Sequence, residues 1–154
     1  MKNEVVAAEV AVKDFDRFCE AWGVEAPVEP NDASTKVEKD LYKELNTSFQ
    51  LIKLAMVSYI SKGILVVSED GGNVIQYCQY PPVGGQSKEP FVFKYQIPSL
   101  GDMFELDKAN GTMASKAANI AVLTRNSRSK LAMLDPRDLK FGEPVVQLFF
   151  SLLA

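Results

Sequence analysis

The amino-acid sequence predicts an α+β fold, in which a small antiparallel sheet packs with several helices. Three patterns predict this class. They are an apolar stripe at helical spacing over residues 35–62, a turn-rich stretch between two β-branched runs, and a later run in which apolar residues alternate. With 154 residues, 47% of them hydrophobic and 24% charged, the chain has enough apolar material for one folded domain with a core.

The long helix over residues 35–62 has a start signal, a stripe and a stop signal. Thr35 and Glu38 have capping-box spacing, in which each side chain accepts a hydrogen bond from the other residue's backbone N–H. Gly63 is suited to cap the other end. We expect the stripe to be buried, in particular Leu41, Leu45, Ile52 and Met56, with Val37, Phe49, Ala55, Tyr59 and Ile60 continuing or widening it.

Three strands follow this helix. Residues 64–67 are a short β-branched run, and Glu69 to Asn73 include two glycines that suit a tight reversal, which predicts a hairpin with a return strand at 74–80. After a Pro- and Gly-rich loop, residues 91–97 alternate Phe91, Phe93, Tyr95 and Ile97 on one face, which we expect to pack on a helix.

The chain is predicted to divide into an N-terminal arm and the α+β domain, which we place at residues 31–154. Residues 1–30 are predicted to form an N-terminal arm, in which Phe15, Phe18, Cys19 and Trp22 share a helical face and Gly23 ends the helix. A linker containing Pro27 and Pro30 then joins the arm to the domain.

Further helices are predicted after Pro98, over 113–123 and after Asp135-Pro136, where Asp is a favourable N-cap and Pro a favourable first residue.

The residue types argue against catalysis and against metal or cofactor binding. The chain contains no histidine, which is the commonest general base and a common metal ligand, and its two cysteines are 58 positions apart. Neither glycine pair has the spacing of a phosphate-binding loop or a dinucleotide fingerprint. The carboxylates Asp102, Glu105, Asp107, Asp135 and Asp138 leave acid–base chemistry as a minor alternative, although Asp102 and Asp135 are placed to stabilise helix starts. We therefore expect no enzyme activity, no cofactor and no metal site.

Net charge disfavours one class of partner, and the N-terminal residues and the cysteines indicate where the protein is located. A net charge of -3 and a pI near 5.1 disfavour binding to a phosphate backbone, so nucleic acid is not an expected partner. Acidic and basic residues interrupt the apolar N-terminus, so neither a signal peptide nor a membrane anchor is expected. Cys19 and Cys78 are predicted to be packing residues that form no disulfide, in an intracellular protein.

The segment from Phe91 to Phe149 resembles the phage tail assembly chaperones of myophage type. The resemblance rests on short motifs: FVFKYQI at 91–97, PSLGDM at 98–103, LDK at 106–108, IAVLT at 120–124 and LAMLDPRDL at 131–139. It implies a small protein of the host cytoplasm that binds the tape-measure protein during virion assembly and keeps it soluble. About 60 residues are covered, and the N-terminal arm and long helix lie outside them.

The expected function is therefore non-catalytic protein binding. The apolar C-terminal segment is expected to be buried in the core, in a second copy of the chain or in a protein partner, and four of its residues are candidate partner contacts: Phe149, Phe150, Leu152 and Leu153. Because the segment leaves association with a second copy open, a homo-oligomer is an alternative state. The alternative function is that of a structural subunit of a phage tail or another multi-subunit particle, with the arm reaching a neighbouring subunit.

Overall fold

The computed structural model describes residues 5–84, 88–106 and 111–152, and for Leu152 its backbone alone. The described residues form an α+β fold, as predicted. The order of elements is α1 (Ala8–Trp22), α2 (Lys36–Ser61), β1 (Leu65–Val67), β2 (Asn73–Tyr77), β3 (Val92–Gln96), α3 (Leu100–Met103), α4 (Met113–Thr124), α5 (Arg128–Leu131) and α6 (Pro136–Leu152).

The three strands form one antiparallel sheet in the order β1-β2-β3. Val67 is opposite Val74 in the first pair, and Val74 is opposite Tyr95 in the second. This register places the buried residues of all three strands on one face, which packs against helices. The predicted alternation in β3 is confirmed at its centre, where Phe93 and Tyr95 are buried, but Ile97 lies beyond the strand and is exposed.

Helix α2 begins and ends where the sequence predicted. Thr35 and Glu38 form the capping box, with the Glu38 backbone N–H 3.2 Å from Thr35 Oγ1. Gly63 adopts a left-handed φ of 73° just after the helix, and its N–H donates to the carbonyl of Ile60. A single residue with positive φ therefore ends a helix of 26 residues.

The prediction that the whole α2 stripe is buried is wrong for its first half. Phe49, Met56 and Ile60 are buried and Ile52 is half-buried, whereas Leu41 is 53% exposed and Leu45 is 50% exposed. None of residues 36–48 is buried, so the first half of the helix extends past the elements that cover its second half. Periodicity reveals which residues share a face, but it does not reveal how far along the helix that face is covered.

The predicted N-terminal arm is also wrong, because α1 belongs to the main core. Phe15, Phe18 and Trp22 are buried together with residues of α2, the sheet and α6. The Trp22 indole Nε1 donates to the carbonyl of Gly72 at 2.9 Å, and the Arg17 guanidinium donates to backbone carbonyls of the hairpin's first strand and turn. Residues 24–30, the predicted linker, contain no helix or strand, and they connect α1 to α2 within one core.

Helix α6 forms the centre of the fold rather than a free terminus. Val145, Val146, Leu148 and Phe149 are buried, and the Trp22 and Phe149 rings meet edge to face with centroids 6.2 Å apart. Burying a Leu or Phe side chain contributes about 1.5 to 3 kcal/mol each, so this helix is a large part of the folding free energy. No helix among the described residues is both long and apolar enough to cross a membrane.

Candidate protein-binding groove

An apolar groove runs between the extended segment 24–30 and the first half of α2. Gly23, with a φ of 71°, ends α1 and turns the chain into this segment, where Pro27 and Pro30 fix an extended backbone. The segment then runs beside α2. The groove consists of two depressions of about 450 and 440 Å³, which share Pro27 and Leu45.

The walls of the groove are mainly apolar. Its lining residues are, in chain order, Gly23, Val24, Glu25, Pro27, Val28, Glu29, Pro30, Asn31, Ser34, Glu38, Leu41, Tyr42, Leu45, Ser48, Phe49, Ile52, Leu148 and Ser151. Val24, Phe49 and Leu148 are buried and form its base, whereas Leu41, Leu45 and Val28 remain exposed on its walls. Covering two half-exposed leucines would stabilise a complex by about 1 kcal/mol each, at about 25 cal/mol per Å² of apolar surface.

The C-terminal candidates are not an exposed contact surface in the structure. Phe149 is 3% exposed and packs on Trp22, and Phe150 is half-buried against the core. The Leu152 side chain and Leu153 lie outside the described residues. Two other residues of the C-terminal helix, Leu148 and Ser151, line the groove where it meets α6.

A second group of exposed apolar side chains surrounds α3. Ile97, Leu100, Phe104 and Met113 are all exposed. The candidate carboxylate Asp107 lies outside the described residues. Leu41 and Leu45, in contrast, line a concave surface, so the groove beside α2 is the candidate site.

A polar cavity of about 440 Å³ lies between α3, α4 and α5. It is lined by Asp102 and Glu105 together with Arg125 and Arg128. Asp102 completes a capping box with Ser99, whose backbone N–H donates to Asp102 Oδ2 at 3.0 Å. Hydrogen bonds from Ser99 lower the pKa of this carboxyl, which is therefore an ionised helix cap as its sequence position predicted.

Asp138 is fully buried and joins α6 to the end of β2. Its two carboxylate oxygens accept hydrogen bonds from the backbone N–H groups of Gln79, at 2.7 Å, and Tyr80, at 3.1 Å. Burial is the main effect on its titration and raises the pKa. Both oxygens are thus occupied by main-chain donors, an arrangement that fixes a loop rather than one that presents a base to a substrate.

Asp135, just before α6, also has a structural partner for each oxygen. Its Oδ1 accepts from the backbone N–H of Arg137, and its Oδ2 lies 2.8 Å from the Arg137 guanidinium. These bonds lower the pKa of the Asp135 carboxyl. The Arg137 guanidinium also stacks over the Tyr80 ring, 3.6 Å from its centroid. The pair therefore stabilises the start of α6, as the Asp-Pro sequence predicted.

Both cysteines are buried, and each is a thiol rather than half of a disulfide. Cys19 lies on the apolar face of α1 and Cys78 follows β2. Burial raises the pKa of each thiol to about 12, so neither is a thiolate near neutral pH. Among the described residues, no three His, Cys, Asp or Glu side chains meet in a way that would hold a metal ion.

Sequence reasoning missed the groove because it assigned Leu41 and Leu45 to the core. A signal for it was present. Between Lys36 and Ser48 the chain carries six charged residues, and the largest buried side chains of α2 begin only at Phe49. An apolar stripe in such a polar stretch indicates that this half of the helix is not buried against another large element. The nearby linker, with its two prolines, supplies the opposite wall.

In comparisons with protein-family models, with curated proteins and with solved structures, the chain has no match. The geometry of the groove and the short sequence motifs are therefore the basis for proposing a function.

Proposed function

We propose that this protein is a non-catalytic assembly chaperone that holds an apolar helical segment of a partner protein in the groove between residues 24–30 and α2. The observation that carries the proposal is the exposure of Leu41 and Leu45 inside a concave, mainly apolar surface. A groove lined by an amphipathic helix is a recurring way to bind another helix.

The identity of the partner follows from the sequence resemblance. The motifs between Phe91 and Phe149 resemble phage tail assembly chaperones, so we propose the tape-measure protein, or another tail protein, as the partner. Tape-measure proteins are long and helical, and covering an apolar stripe on such a chain would prevent its self-association in the host cytoplasm. The groove provides a surface of the required chemistry on this protein.

The alternative role of a structural subunit has less support. It depended on an N-terminal arm that reaches a neighbouring subunit, and α1 is instead packed in the core. The two roles differ in one observable, the composition of purified particles. We expect the protein to be absent from mature particles and present in lysates during assembly. Its recovery as a stoichiometric particle component would favour the structural role.

Co-expression tests the proposed function. A long helical protein with an apolar stripe, taken from the same genome as the proposed partner, should be more soluble when the wild-type chain is co-expressed. The double substitution Leu41→Gln/Leu45→Gln should abolish this rescue, because it makes the groove polar while keeping good helix formers. Leu51→Gln/Leu54→Gln is the matched control, since Leu51 and Leu54 are more exposed, lie on the same helix and do not line the groove.

Both double variants should fold, because all four leucines are at least half exposed and substitutions at such positions usually cost little. Thermal melts establish this before the rescue is scored. Equal rescue by the two double variants would show that the groove is not the contact surface. The exposed group around Leu100 and Phe104 would then be the next surface to test.

A further inference from the structure

We propose that the partner segment is an amphipathic helix whose apolar stripe is bordered by Lys or Arg side chains, an inference that rests on the proposed function of the groove. The groove combines apolar walls with charged side chains that are all negative. Glu25, Glu29 and Glu38 all line it and all are exposed. No lysine or arginine lines either of its two depressions in the described chain.

The adjoining surface extends the same charge. A depression of about 270 Å³ shares Val24 and Phe49 with the groove, and its charged residues are Asp16, Glu20 and Lys53. Of the described residues that line these three neighbouring depressions, Lys53 is the single cation and five are carboxylates. The local field is negative, and it favours a partner that carries positive charge.

The lysines of α2 do not neutralise the groove. Lys39 and Lys43 each lie two residues from Leu41, which corresponds to roughly 160° around the helix axis. They therefore point away from the face that carries Leu41. Among the described residues, Glu25 and Glu29 form no ion pair, so their carboxylates are available to a partner's cations.

The length of the groove indicates the size of the segment. Along α2 the lining residues extend from Glu38 to Ile52, a distance of 14 residue steps and so about 21 Å at 1.5 Å per residue. A partner helix of about 14 residues, or four turns, spans this distance. Such a helix places three or four apolar side chains on one stripe, with its charged neighbours on both borders.

The same charges disfavour a second copy of this chain as the occupant. A symmetric contact through this face would place the negative surface of one copy, with Glu25, Glu29 and Glu38, against the same negative surface of the other. Like charges placed together oppose association. A helix with basic borders would instead pair with these carboxylates while its stripe covers Leu41 and Leu45.

Two designed helical peptides of about 14 residues provide the test. Both carry the same stripe of Leu and Phe, and the residues bordering it are Lys in one and Glu in the other. Fluorescence anisotropy measures their binding to the full-length protein. We expect the Lys-bordered peptide to bind on the order of tenfold tighter at low salt, with the preference shrinking as salt is raised.

The groove variant Glu25→Gln/Glu29→Gln/Glu38→Gln should remove this preference. Gln at position 38 also suits a capping box, so the start of α2 is retained. The matched control is Glu9→Gln/Glu69→Gln/Glu105→Gln, which changes net charge equally at residues outside the groove. Preference lost in the groove variant and kept in the control supports the inference. A preference that persists in the groove variant overturns it.

The remaining outcomes separate this inference from the proposed function. If both peptides bind equally and Leu41→Gln/Leu45→Gln abolishes the binding, the groove is a helix-binding site and the charge inference is wrong. If neither peptide binds, both proposals fail. If sedimentation shows a dimer that Leu41→Gln/Leu45→Gln dissociates, the occupant is a second copy and the charge inference is wrong.

Discussion

The phenolic hydroxyl of Tyr95 donates a 2.6 Å hydrogen bond to Oε1 of Gln76. The two residues lie on the neighbouring strands β3 and β2, and both side chains are buried. Gln76 in turn donates from Nε2 to the backbone carbonyl of Asp138 on α6, at 3.0 Å. The polar pair thus links the sheet to the last helix. Helix α6 approaches it at Gly142, where the absence of a side chain leaves room for the Tyr95 hydroxyl.

Substituting Gly142 by Ala should destabilise the protein. A β-carbon there would overlap the Tyr95 hydroxyl and lie 2.9 Å from Gln76 Oε1. We expect a loss of about 1 to 3 kcal/mol in the free energy of unfolding, because overpacking a filled core forces neighbours to move. Helix propensity alone predicts the opposite sign, a gain of about 1 kcal/mol for Ala over Gly.

Urea unfolding distinguishes these two expectations. Gly101→Ala is the matched control, because within the described part of the chain a β-carbon at this helical position meets Ser99 Oγ alone, at an ordinary 3.7 Å. The control should be neutral or slightly stabilising. If Gly142→Ala is as stable as the wild type, the close approach of α6 to the sheet is not a constraint on this fold.

The helices and strands of the fold could be predicted from local signals, but which of their faces are buried by other elements could not. Capping chemistry at Thr35, positive-φ glycines at positions 23 and 63, and alternation around Phe93 are properties of a few neighbouring residues, and the structure confirms each of them. The short α5 helix was missed because four residues show no periodicity.

The candidate site depends on contacts between distant parts of the chain. Whether α1 packs in the core, whether Leu45 is covered and whether Phe149 is free are decided by how α1, α2 and α6 meet. A single stripe carries no information about the length of the helix packed against it. For the same reason, the buried Asp138 was visible in sequence only as a carboxylate near a helix start, without its partners Gln79 and Tyr80.

The two halves of α2 should respond differently to truncation. Met56 is completely buried, so Met56→Ala should cost about 2 to 5 kcal/mol of unfolding free energy through lost burial and a cavity. Leu45→Ala, at a half-exposed position, should cost about 1 kcal/mol or less. Denaturant titrations of both variants measure this. Equal losses at the two positions would mean that Leu45 is buried in solution, and the groove would then be closed.

Asp138 should make a distinctive contribution to the pH dependence of stability. Burial raises its pKa in the folded state above the ordinary value of 3.8, so the folded protein holds this proton to higher pH than the unfolded chain does. Stability from this group is therefore greatest at low pH and falls as pH rises from about 3.8 through the raised pKa.

The difference in unfolding free energy between wild type and Asp138→Asn isolates this effect. Asp70, Asp102 and Asp135 have lowered pKa values, so they lose stabilisation as pH falls below 3.8, but they do so in both proteins and cancel in the difference. We expect the advantage of the wild type to shrink as pH rises across this window. An advantage that grows with pH would mean that the hydrogen bonds from Gln79 and Tyr80 outweigh burial.

The thiols should be unreactive in the folded protein. Because Cys19 and Cys78 are buried and their pKa values are about 12, an aromatic disulfide reagent at pH 8 should modify neither until the chain unfolds. The rate of modification should then follow the fraction unfolded as denaturant is added. One thiol that reacts within seconds in the native protein would show that its surroundings open without global unfolding.

The central claim is that a helical partner binds along the first half of α2, and hydrogen exchange of the backbone amides measures this most directly. Residues 36–48 contain no buried side chain, so their amides should exchange readily in the free protein. Adding the proposed partner, a long helical protein of the same genome with an apolar stripe, should slow exchange there and leave α4 unchanged. Slowed exchange around Leu100 and Phe104, with none on α2, would contradict the claim.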